Sequence, residues 1–384
     1  MKILIAVDKF KDCISSKDIG NAISNSIDKS LNKDLITTSV LGISDGGEGF
    51  LESLISPLNL TVQHLNVTGP LCNEITSKYA YNAEKKIAVV EMALASGLEL
   101  VERSLRNPLN TTTRGTGELI AHAIHVNGCK HIVIGAGGSA TNDGGLGALV
   151  ALGIQVTLND DSQPRYIVGR HLANVKSIVL PQQVREKLKD VHFEFCTDVT
   201  TPFVGERGAT HTFAKQKGAS VQDRETLEQG MINVANLLTV DIRHREGTGA
   251  AGGLAGGFVS LLGATISKGM DYVCKLIQLD QHIKDSDIII TGEGCFDSTS
   301  LAGKAVTKIL DLGDQYNKSI IIICGCLGDQ EEVKKEVDTK WKCIKSICDL
   351  QSRYGNEASM NKTRECIDRL IDSEILPMIL LNKK

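Results

Sequence analysis

A loop rich in glycine and hydroxyl side chains gives the clearest sign of chemistry in this sequence. It follows a predicted strand that begins at His131, and it contains Gly135, Gly137, Gly138, Ser139, Thr141, Asn142 and Asp143. Glycines let a backbone approach a ligand closely, and the amides at a helix N-terminus bind anions. The hydroxyls would add donors, and Asp143 would bind a metal or position a donor. Because six glycines lie between 135 and 147, we favour a phosphate-binding loop over a tight turn with capping residues.

Aspartates that follow predicted strands indicate a second part of the same chemistry. They are Asp8, Asp45 (followed by Gly46 and Gly47), Asp198, and Asp297 (preceded by Gly292, Glu293 and Gly294). Ligands of open α/β sheets bind outside the carboxyl ends of strands. Phosphoryl transfer there needs carboxylates that hold Mg²⁺ or orient the acceptor, and cations on the phosphates, for which Lys11, Lys217 and Lys304 are candidates. A turn or N-cap role is the alternative for any one aspartate, whereas the set as a whole favours function.

A basic loop follows Asp198 and contains Arg207, Gln216, Lys217 and Gly218. The guanidinium of Arg207 can clamp a substrate carboxylate through two parallel hydrogen bonds. An ordinary exposed arginine explains the same residue equally well. Both interpretations of Arg207 stay open at this point.

Two glycine motifs that suggest other enzyme classes lack the context those classes need. The segment 247–252 fits the pattern GxGxxG, but it follows Arg243–Glu246 instead of a strand. We therefore expect close helix packing or a flexible nucleotide loop there. A nicotinamide-dependent dehydrogenase of a small hydroxy acid is the alternative function that this motif keeps open. The pair Gly303–Lys304 is not a Walker A motif, because Ala305 follows it and Ser298 stands where that motif needs glycine.

The elements that must position these loops alternate between short apolar runs and helical patterns. Predicted strands near the two chain ends are Lys2–Val7, Ile36–Ile43, Asp287–Thr291, Ser319–Cys324 and Cys343–Cys348. Runs that are apolar on both faces are typical of a parallel sheet covered by helices on each side. A capping box from Ser15 to Asp18 predicts the start of the first helix.

The middle of the chain has a different pattern, with closely spaced strands and then helices. Its predicted elements are strands Leu60–Thr68, Ser77–Asn82, Lys86–Met92 and His131–Ile134, and helices Thr116–Val126, Asp223–Leu238 and Asp271–Ile283. At 384 residues the chain exceeds the usual size of one domain. The sequence therefore predicts an α/β protein with two α/β domains. A discontinuous, three-layer, Rossmann-like parallel-sheet domain (1–66 plus 284–384) carries a second α/β domain (67–283) inserted in it.

The composition excludes several classes of partner. Lys and Arg number 42 against 46 Asp and Glu, which gives a net charge of −4, so no general field attracts a nucleic acid. No apolar run reaches the length of a membrane span. The eleven cysteines are scattered and odd in number, which favours reduced thiols over a disulfide framework. Together with the absence of a signal-peptide pattern, these features predict a cytoplasmic protein, and the sequence leaves open whether it forms a homo-oligomer.

Several motifs together resemble the bacterial glycerate kinase family of the glycerate 2-kinase type. The matching segments lie along essentially the whole chain, at 7–11, 44–50, 67–70, 91–101, 107–121, 137–145, 216–219, 247–257 and 290–305. The resemblance implies transfer of a phosphoryl group from ATP to D-glycerate, usually to 2-phosphoglycerate, with Mg²⁺. The chain departs from the usual family pattern at Lys9, Asp12–Cys13, Thr200–Thr201 and Ser298–Ser300.

On this resemblance, each candidate residue has an expected role. The loop 137–143 and the turn 292–294 would cradle the nucleotide phosphates, and the loop 45–47 would add substrate or phosphate contacts. Asp198 and Asp297 would hold Mg²⁺ or orient the acceptor hydroxyl, one of them acting as base, with Asp8 as a further catalytic acid. Lys11 would neutralise charge on the transferred group. The glycerate carboxylate would bind Arg207, Lys217 or Arg114.

Overall fold

The computed structural model describes residues 1–10, 13–30, 36–43, 47, 49–298, 300–301 and 305–381. The chain forms two compact units. The first consists of Met1–Ser44, Glu52–Leu58 and Val273–Lys384, and the second of Asp45–Leu51 and Asn59–Tyr272. The first unit therefore draws on both chain ends, as the sequence predicts.

The first unit has an all-parallel sheet. Its strands are β1 (Lys2–Val7), β2 (Thr37–Val40), β11 (Ile288–Gly292), β13 (Ser319–Cys324) and β15 (Ile344–Asp349), in the order β15-β13-β11-β1-β2. Every strand predicted for the chain ends is present, and the strand predicted at 36–43 is shorter than expected. A short parallel pair, β12 (Cys295–Phe296) and β14 (Cys326–Leu327), lies beyond the main sheet.

Helices cover this sheet and complete a three-layer, Rossmann-like unit. They are α1 (Ser16–Ser30), α2 (Phe50–Leu58), α10 (Gly269–Leu276), α11 (Leu279–Lys284), α12 (Ala305–Gln315), α13 (Gln330–Lys340), α14 (Leu350–Tyr354), α15 (Asn356–Asn361), α16 (Thr363–Leu370) and α17 (Leu376–Leu381), with a π-helical turn at Ile371–Ile375 between the last two; α2 and α10 begin in the second unit. The predicted cap is confirmed, because the amide of Asp18 donates to Ser15 Oγ over 3.1 Å at the start of α1. Ile3 and Ile5 of β1 share one core with Ile19 and Ile23 of α1, and burying each such side chain stabilises the fold by about 1.5–3 kcal/mol.

The second unit has a mixed sheet in the order β10-β9-β6-β5-β4-β3. Its strands are β3 (Thr61–Thr68), β4 (Glu74–Asn82), β5 (Ile87–Glu91), β6 (His131–Gly135), β9 (His192–Cys196) and β10 (Thr265–Ser267), and a separate antiparallel pair is formed by β7 (Gln155–Leu158) and β8 (Val175–Val179). β3 and β4 pair antiparallel, as do β4 and β5, and the remaining neighbours are parallel. The predicted strands of the middle segment are confirmed.

The helices of the second unit are α3 (Ala93–Ser96), α4 (Arg114–His125), α5 (Leu146–Ala151), α6 (Gln182–Leu188), α7 (Ala209–Phe213), α8 (Val221–Leu237) and α9 (Ala250–Leu262). Phe258 of α9 packs edge-on against Phe193 and Phe195 of β9, with ring centroids 5.4 Å apart in both pairs. The backbone of α9 is interrupted by positive φ angles at 251–253. None of the helices in the described ranges is long and apolar enough to cross a membrane.

The structure differs from two sequence expectations, one about a helix and one about the domain boundaries. The helix predicted over 271–283 is two helices, α10 and α11, because Gln278 takes a left-handed conformation (φ 54°) between them. The domain boundaries predicted at 66/67 and 283/284 fall inside β3 and α11. β3 pairs with β4 along its whole length, and the main segment of the second unit runs from Asn59 to Tyr272. That the two segments are separate folding domains stays a prediction.

Candidate active site

Three parallel strands of the second unit end together at one edge of its sheet. Glu91 of β5 is the register partner of Gly135 of β6, and Gly135 is the partner of Cys196 of β9. The loops that leave this edge carry the glycine-rich segment 136–145 and the basic segment 197–218. The strand topology therefore brings together two motifs that lie about sixty residues apart in sequence.

Backbone contacts hold the glycine-rich loop in a fixed path. The amide of Leu98 donates to the carbonyl of Gly138 (2.8 Å), where φ is +70°. On the other side, the amide of Gly144 donates to the carbonyl of Gly252 (3.1 Å). A β-carbon on Gly252 would lie 2.0 Å from the carbonyl oxygen of Thr141. Of the two alternatives expected for the 247–252 tract, close packing or a flexible nucleotide loop, the structure shows close packing at Gly252. These residues do not follow a strand, so a dinucleotide fingerprint lacks its structural context.

A buried lysine, Lys217, contacts this loop from the basic segment. Its Nζ donates to Ser139 Oγ and to the carbonyl oxygen of Thr141, both at 2.7 Å, and the residue is 3% exposed. Burial lowers the pKa of Lys217 to about 7, and the carboxylate of Asp143 opposes that shift. The structure thus brings three predicted ligand-binding residues, Ser139, Thr141 and Lys217, into one hydrogen-bonded group.

Asp143 organises the loop from within. One carboxylate oxygen accepts from the amide (2.7 Å) and hydroxyl (2.8 Å) of Thr113 and from the amide of Gly147 (3.3 Å), and the other accepts from the amide of Gly145 (3.1 Å). Burial raises the pKa of Asp143, while these donors lower it. The arrangement supports a role in joining the starts of α4 and α5, and direct contact of Asp143 with a ligand stays a prediction.

The pKa of Lys217 makes a prediction about stability. Between pH 7 and 10.5 the unfolded chain binds a proton at Lys217 that the folded chain does not, so folding becomes more favourable as pH rises through that window. Lys217→Met removes this contribution. We expect the midpoint of thermal unfolding, compared between pH 7 and pH 9, to rise less in Lys217→Met than in the wild type. Lys215→Met, at an exposed position of the same loop, should keep the pH dependence of the wild type. An equal change of the unfolding midpoint in all three proteins would contradict the prediction.

Asp198 follows β9 and is exposed at the same edge of the sheet. Its Oδ1 accepts a 2.9 Å hydrogen bond from the amide of Gly269, the first residue of α10. An aspartate at a helix N-terminus is stabilised as the anion. This hydrogen bond fixes Asp198 at the carboxyl end of β9, and its role in holding Mg²⁺ or orienting the acceptor hydroxyl stays a prediction.

The two candidate arginines differ in how firmly they are held. Arg207 is exposed. Arg114 is held, because its Nε donates to Glu118 (2.8 Å), its Nη1 donates to the carbonyl of Arg165 (2.9 Å), and its guanidinium lies over the ring of Tyr166. A cavity of about 370 Å³ near this ring is lined by Cys72, Asn110, Pro164, Arg165, Tyr166, Val168, Arg170 and His171. Carboxylate binding by Arg207 or Arg114 stays a prediction.

In the first unit, the predicted acids also lie at carboxyl ends of parallel strands. Asp8 follows β1, donates its amide to the carbonyl of Gly292 (2.8 Å) and accepts from the amide of Lys9 (2.7 Å). A β-carbon on Gly292 would lie 1.7 Å from the carbonyl oxygen of Ile323, so only glycine fits there. The turn continues through Glu293 and Gly294, whose carbonyl oxygens accept from the amides of Gly325 and Cys326.

Asp297 closes a tight turn beyond this strand end. Its Oδ1 accepts from the amide of Ser300 (3.2 Å), and its own amide donates to Ser300 Oγ (3.0 Å). The thiol of Cys295 lies 3.8 Å from Asp297 Oδ2. The described residues include no group of three or more His, Cys, Asp or Glu side chains arranged to hold a metal.

Glu91 is a buried acid that sequence reasoning missed. Its two carboxylate oxygens accept from the amides of Gly49 (3.1 Å) and Leu51 (3.0 Å), which holds the end of the predicted loop 45–49. Gly47 is placed by a hydrogen bond from the amide of Phe50 to its carbonyl. Three predicted residues, Lys11, Asp45 and Gly46, lie outside the described part of the chain, as does Lys304.

Comparison with known proteins identifies the family of this chain. A family model described as the glycerate kinase family matches residues 3–372. The chain belongs to the glycerate kinase family. It is 37% identical over 357 residues to a glycerate kinase of Haemophilus influenzae, covering 91% of this chain and 93% of that protein. It is 36% identical over 360 residues to the glycerate 2-kinase of Escherichia coli, covering 92% and 93%.

The fold is shared with a solved crystal structure. A crystal structure of a candidate glycerate kinase 2 from Salmonella typhimurium LT2 is 32% identical, covers 97% of this chain and 99% of that chain, and superposes with a TM-score of 0.79. The resemblance drawn from the sequence motifs is therefore confirmed. So is the predicted α/β fold with a discontinuous parallel-sheet unit.

Proposed function

We propose that this chain transfers the γ-phosphoryl group of ATP to D-glycerate, giving 2-phosphoglycerate, with Mg²⁺ as the metal. The family match over residues 3–372 is the observation that carries the proposal. The name of the Escherichia coli relative, glycerate 2-kinase, supports the position of the phosphoryl group. ATP and D-glycerate are small-molecule partners, and the proposal includes no nucleic acid.

The residues at the strand ends suit the groups of such a reaction. Phosphates favour a glycine-rich backbone with hydroxyl and ammonium donors, and Ser139 and Lys217 provide these within 2.7 Å of each other. Kinase sites hold Mg²⁺ with one or two carboxylates and the phosphates themselves, so an exposed strand-end carboxylate such as Asp198 is a suitable ligand for the metal. Mg²⁺, when bound, neutralises charge on the phosphoryl oxygens.

Each residue then has a proposed part in the reaction. Loop 137–143 and the turn 292–294 bind nucleotide phosphates. Asp198 and Asp297 hold Mg²⁺ or orient the acceptor hydroxyl, one of them serving as base, and Asp8 assists as a further acid. Lys11 neutralises charge on the transferred group. Arg207, Lys217 or Arg114 binds the glycerate carboxylate, and the loop 45–47 contributes further contacts.

An assay of ADP release tests this proposal. Purified protein with Mg-ATP should release ADP when D-glycerate is added and only at a blank rate without it, and EDTA should abolish the release. 3-Hydroxypropionate, which lacks only the hydroxyl on carbon 2, serves as the matched acceptor control and should release no ADP above the blank. The alternative, a nicotinamide-dependent dehydrogenase, predicts an absorbance change at the nicotinamide band and no ADP. Release of ADP that does not depend on D-glycerate would overturn the proposal.

A further inference from the structure

Lys217 is a buried basic group without a partner of opposite charge. Its two hydrogen-bond acceptors, the hydroxyl of Ser139 and the carbonyl of Thr141, are both neutral. Within the described residues it takes part in no ion pair. An ammonium ion in such a position loses its hydration without gaining a counter-ion, which disfavours the charged form.

None of the following charged groups serves as a counter-ion for Lys217. Asp143, the group that acts on it electrostatically, is occupied by its four hydrogen bonds from Thr113, Gly145 and Gly147. His211 of α7 and Lys215, which follows that helix, are exposed. On α8, the carboxylate of Asp223 accepts from the amide of Ser220 (2.9 Å) and from Asn107 (3.2 Å).

We propose that an anionic group of a substrate completes this site, so that substrate binding adds one proton to Lys217. The inference rests on the proposed function and goes beyond it, because it assigns a change of protonation to a named residue. The anion is either a nucleotide phosphate or the glycerate carboxylate. Both are oxyanions that accept a hydrogen bond from an ammonium group.

The two hydrogen bonds of Lys217 are compatible with either protonation state. A neutral amine has two N–H groups, which are enough for Ser139 and Thr141. Protonation adds a third N–H for the incoming oxyanion. In the free protein burial lowers the pKa of Lys217 to about 7, and an anion in contact favours the charged form and raises the pKa again. Binding above pH 7 therefore draws a proton from solvent.

Isothermal titration calorimetry in two buffers of different ionisation enthalpy measures that proton. MgADP and D-glycerate are titrated separately into the wild-type chain at pH 8 and pH 6. A group with a pKa of about 7 that becomes fully charged takes up about 0.9 proton at pH 8 and about 0.1 at pH 6. We expect this uptake with the ligand whose anion reaches Lys217, and the two separate titrations identify that ligand.

Two variants separate Lys217 from other sources of protons, including the nucleotide itself. Lys217→Met should lose the uptake at pH 8, whereas Lys215→Met, on the same loop but exposed, should keep it. Binding of either ligand by the wild type with no proton uptake from either, or with equal uptake in Lys217→Met, overturns the inference and leaves the proposed kinase activity standing. Failure of both ligands to bind the wild type, with no turnover, overturns both.

Discussion

Asp198→Asn is expected to lower the turnover number for glycerate phosphorylation by a factor of about 10²–10⁴, the range that a lost acid–base group typically costs. The carboxylate of Asp198 is proposed to hold Mg²⁺ or to orient the acceptor hydroxyl, and both roles need its negative charge. The asparagine oxygen can still accept the hydrogen bond from Gly269, so the start of α10 should be retained. Steady-state ADP release at saturating Mg-ATP and D-glycerate measures the effect, and Asp297→Asn is expected to behave in the same way.

The matched control for this variant lies at the other end of the same strand. Asp190 precedes β9 and is exposed, whereas Asp198 follows it. Asp190→Asn should keep wild-type turnover, because its carboxylate lies away from the edge where the parallel strands end. Thermal unfolding of each variant reports whether the fold is intact. Near-normal turnover in both Asp198→Asn and Asp297→Asn would remove the assignment of these acids.

Gly252→Ala is expected to destabilise the chain by about 2–5 kcal/mol and to reduce activity as well. Gly252 has φ of +68°, a conformation that costs an L-residue about 1–2 kcal/mol. Its new β-carbon would lie 2.0 Å from the carbonyl oxygen of Thr141, and relieving such a clash typically costs about 1–3 kcal/mol more. That carbonyl accepts the hydrogen bond from Lys217, so the displacement reaches the proposed phosphate loop. Denaturant unfolding and ADP release measure the two effects.

Gly263→Ala separates backbone strain from the clash. Gly263 caps the same helix with φ of +67°, but a β-carbon there meets no atom within 4 Å. We expect the free energy of unfolding of Gly263→Ala to fall by about 1–2 kcal/mol and its activity to be unchanged. Equal losses of stability in the two variants would show that the contact with Thr141 contributes nothing.

Much of the fold follows from local patterns in the sequence. The buried strands of the first unit are continuous β-branched runs, such as Ile320–Ile323, and these predict a parallel sheet because both faces are apolar. The start of α1 follows from the Ser15–Asp18 pair, since that cap needs only residues three apart. The break between α10 and α11 has no such signal, because a glutamine at positive φ (Gln278) is held there by the surrounding structure.

The candidate site also has some features that the sequence predicts and others that it does not. Glycine spacing identifies the loop after β6, because positive φ and close backbone approach both demand glycine. The burial of Lys217 depends on contacts between residues that lie 76 and 78 positions apart in sequence, so the sequence offers it only as one cation among several. Glu91 reads as an ordinary strand end, and its role is set by the amides of Gly49 and Leu51, which lie 42 and 40 positions earlier.

Phosphorus NMR of the reaction mixture tests the central claim most directly. The purified chain is incubated with Mg-ATP and D-glycerate, and the phosphorus signals of ADP and phosphoglycerate are followed together. We expect 2-phosphoglycerate to form in equal amount with ADP, its phosphorus coupled to the single hydrogen on carbon 2. ADP that accumulates with inorganic phosphate and without any phosphoglycerate would contradict the assignment of this chain as a glycerate kinase.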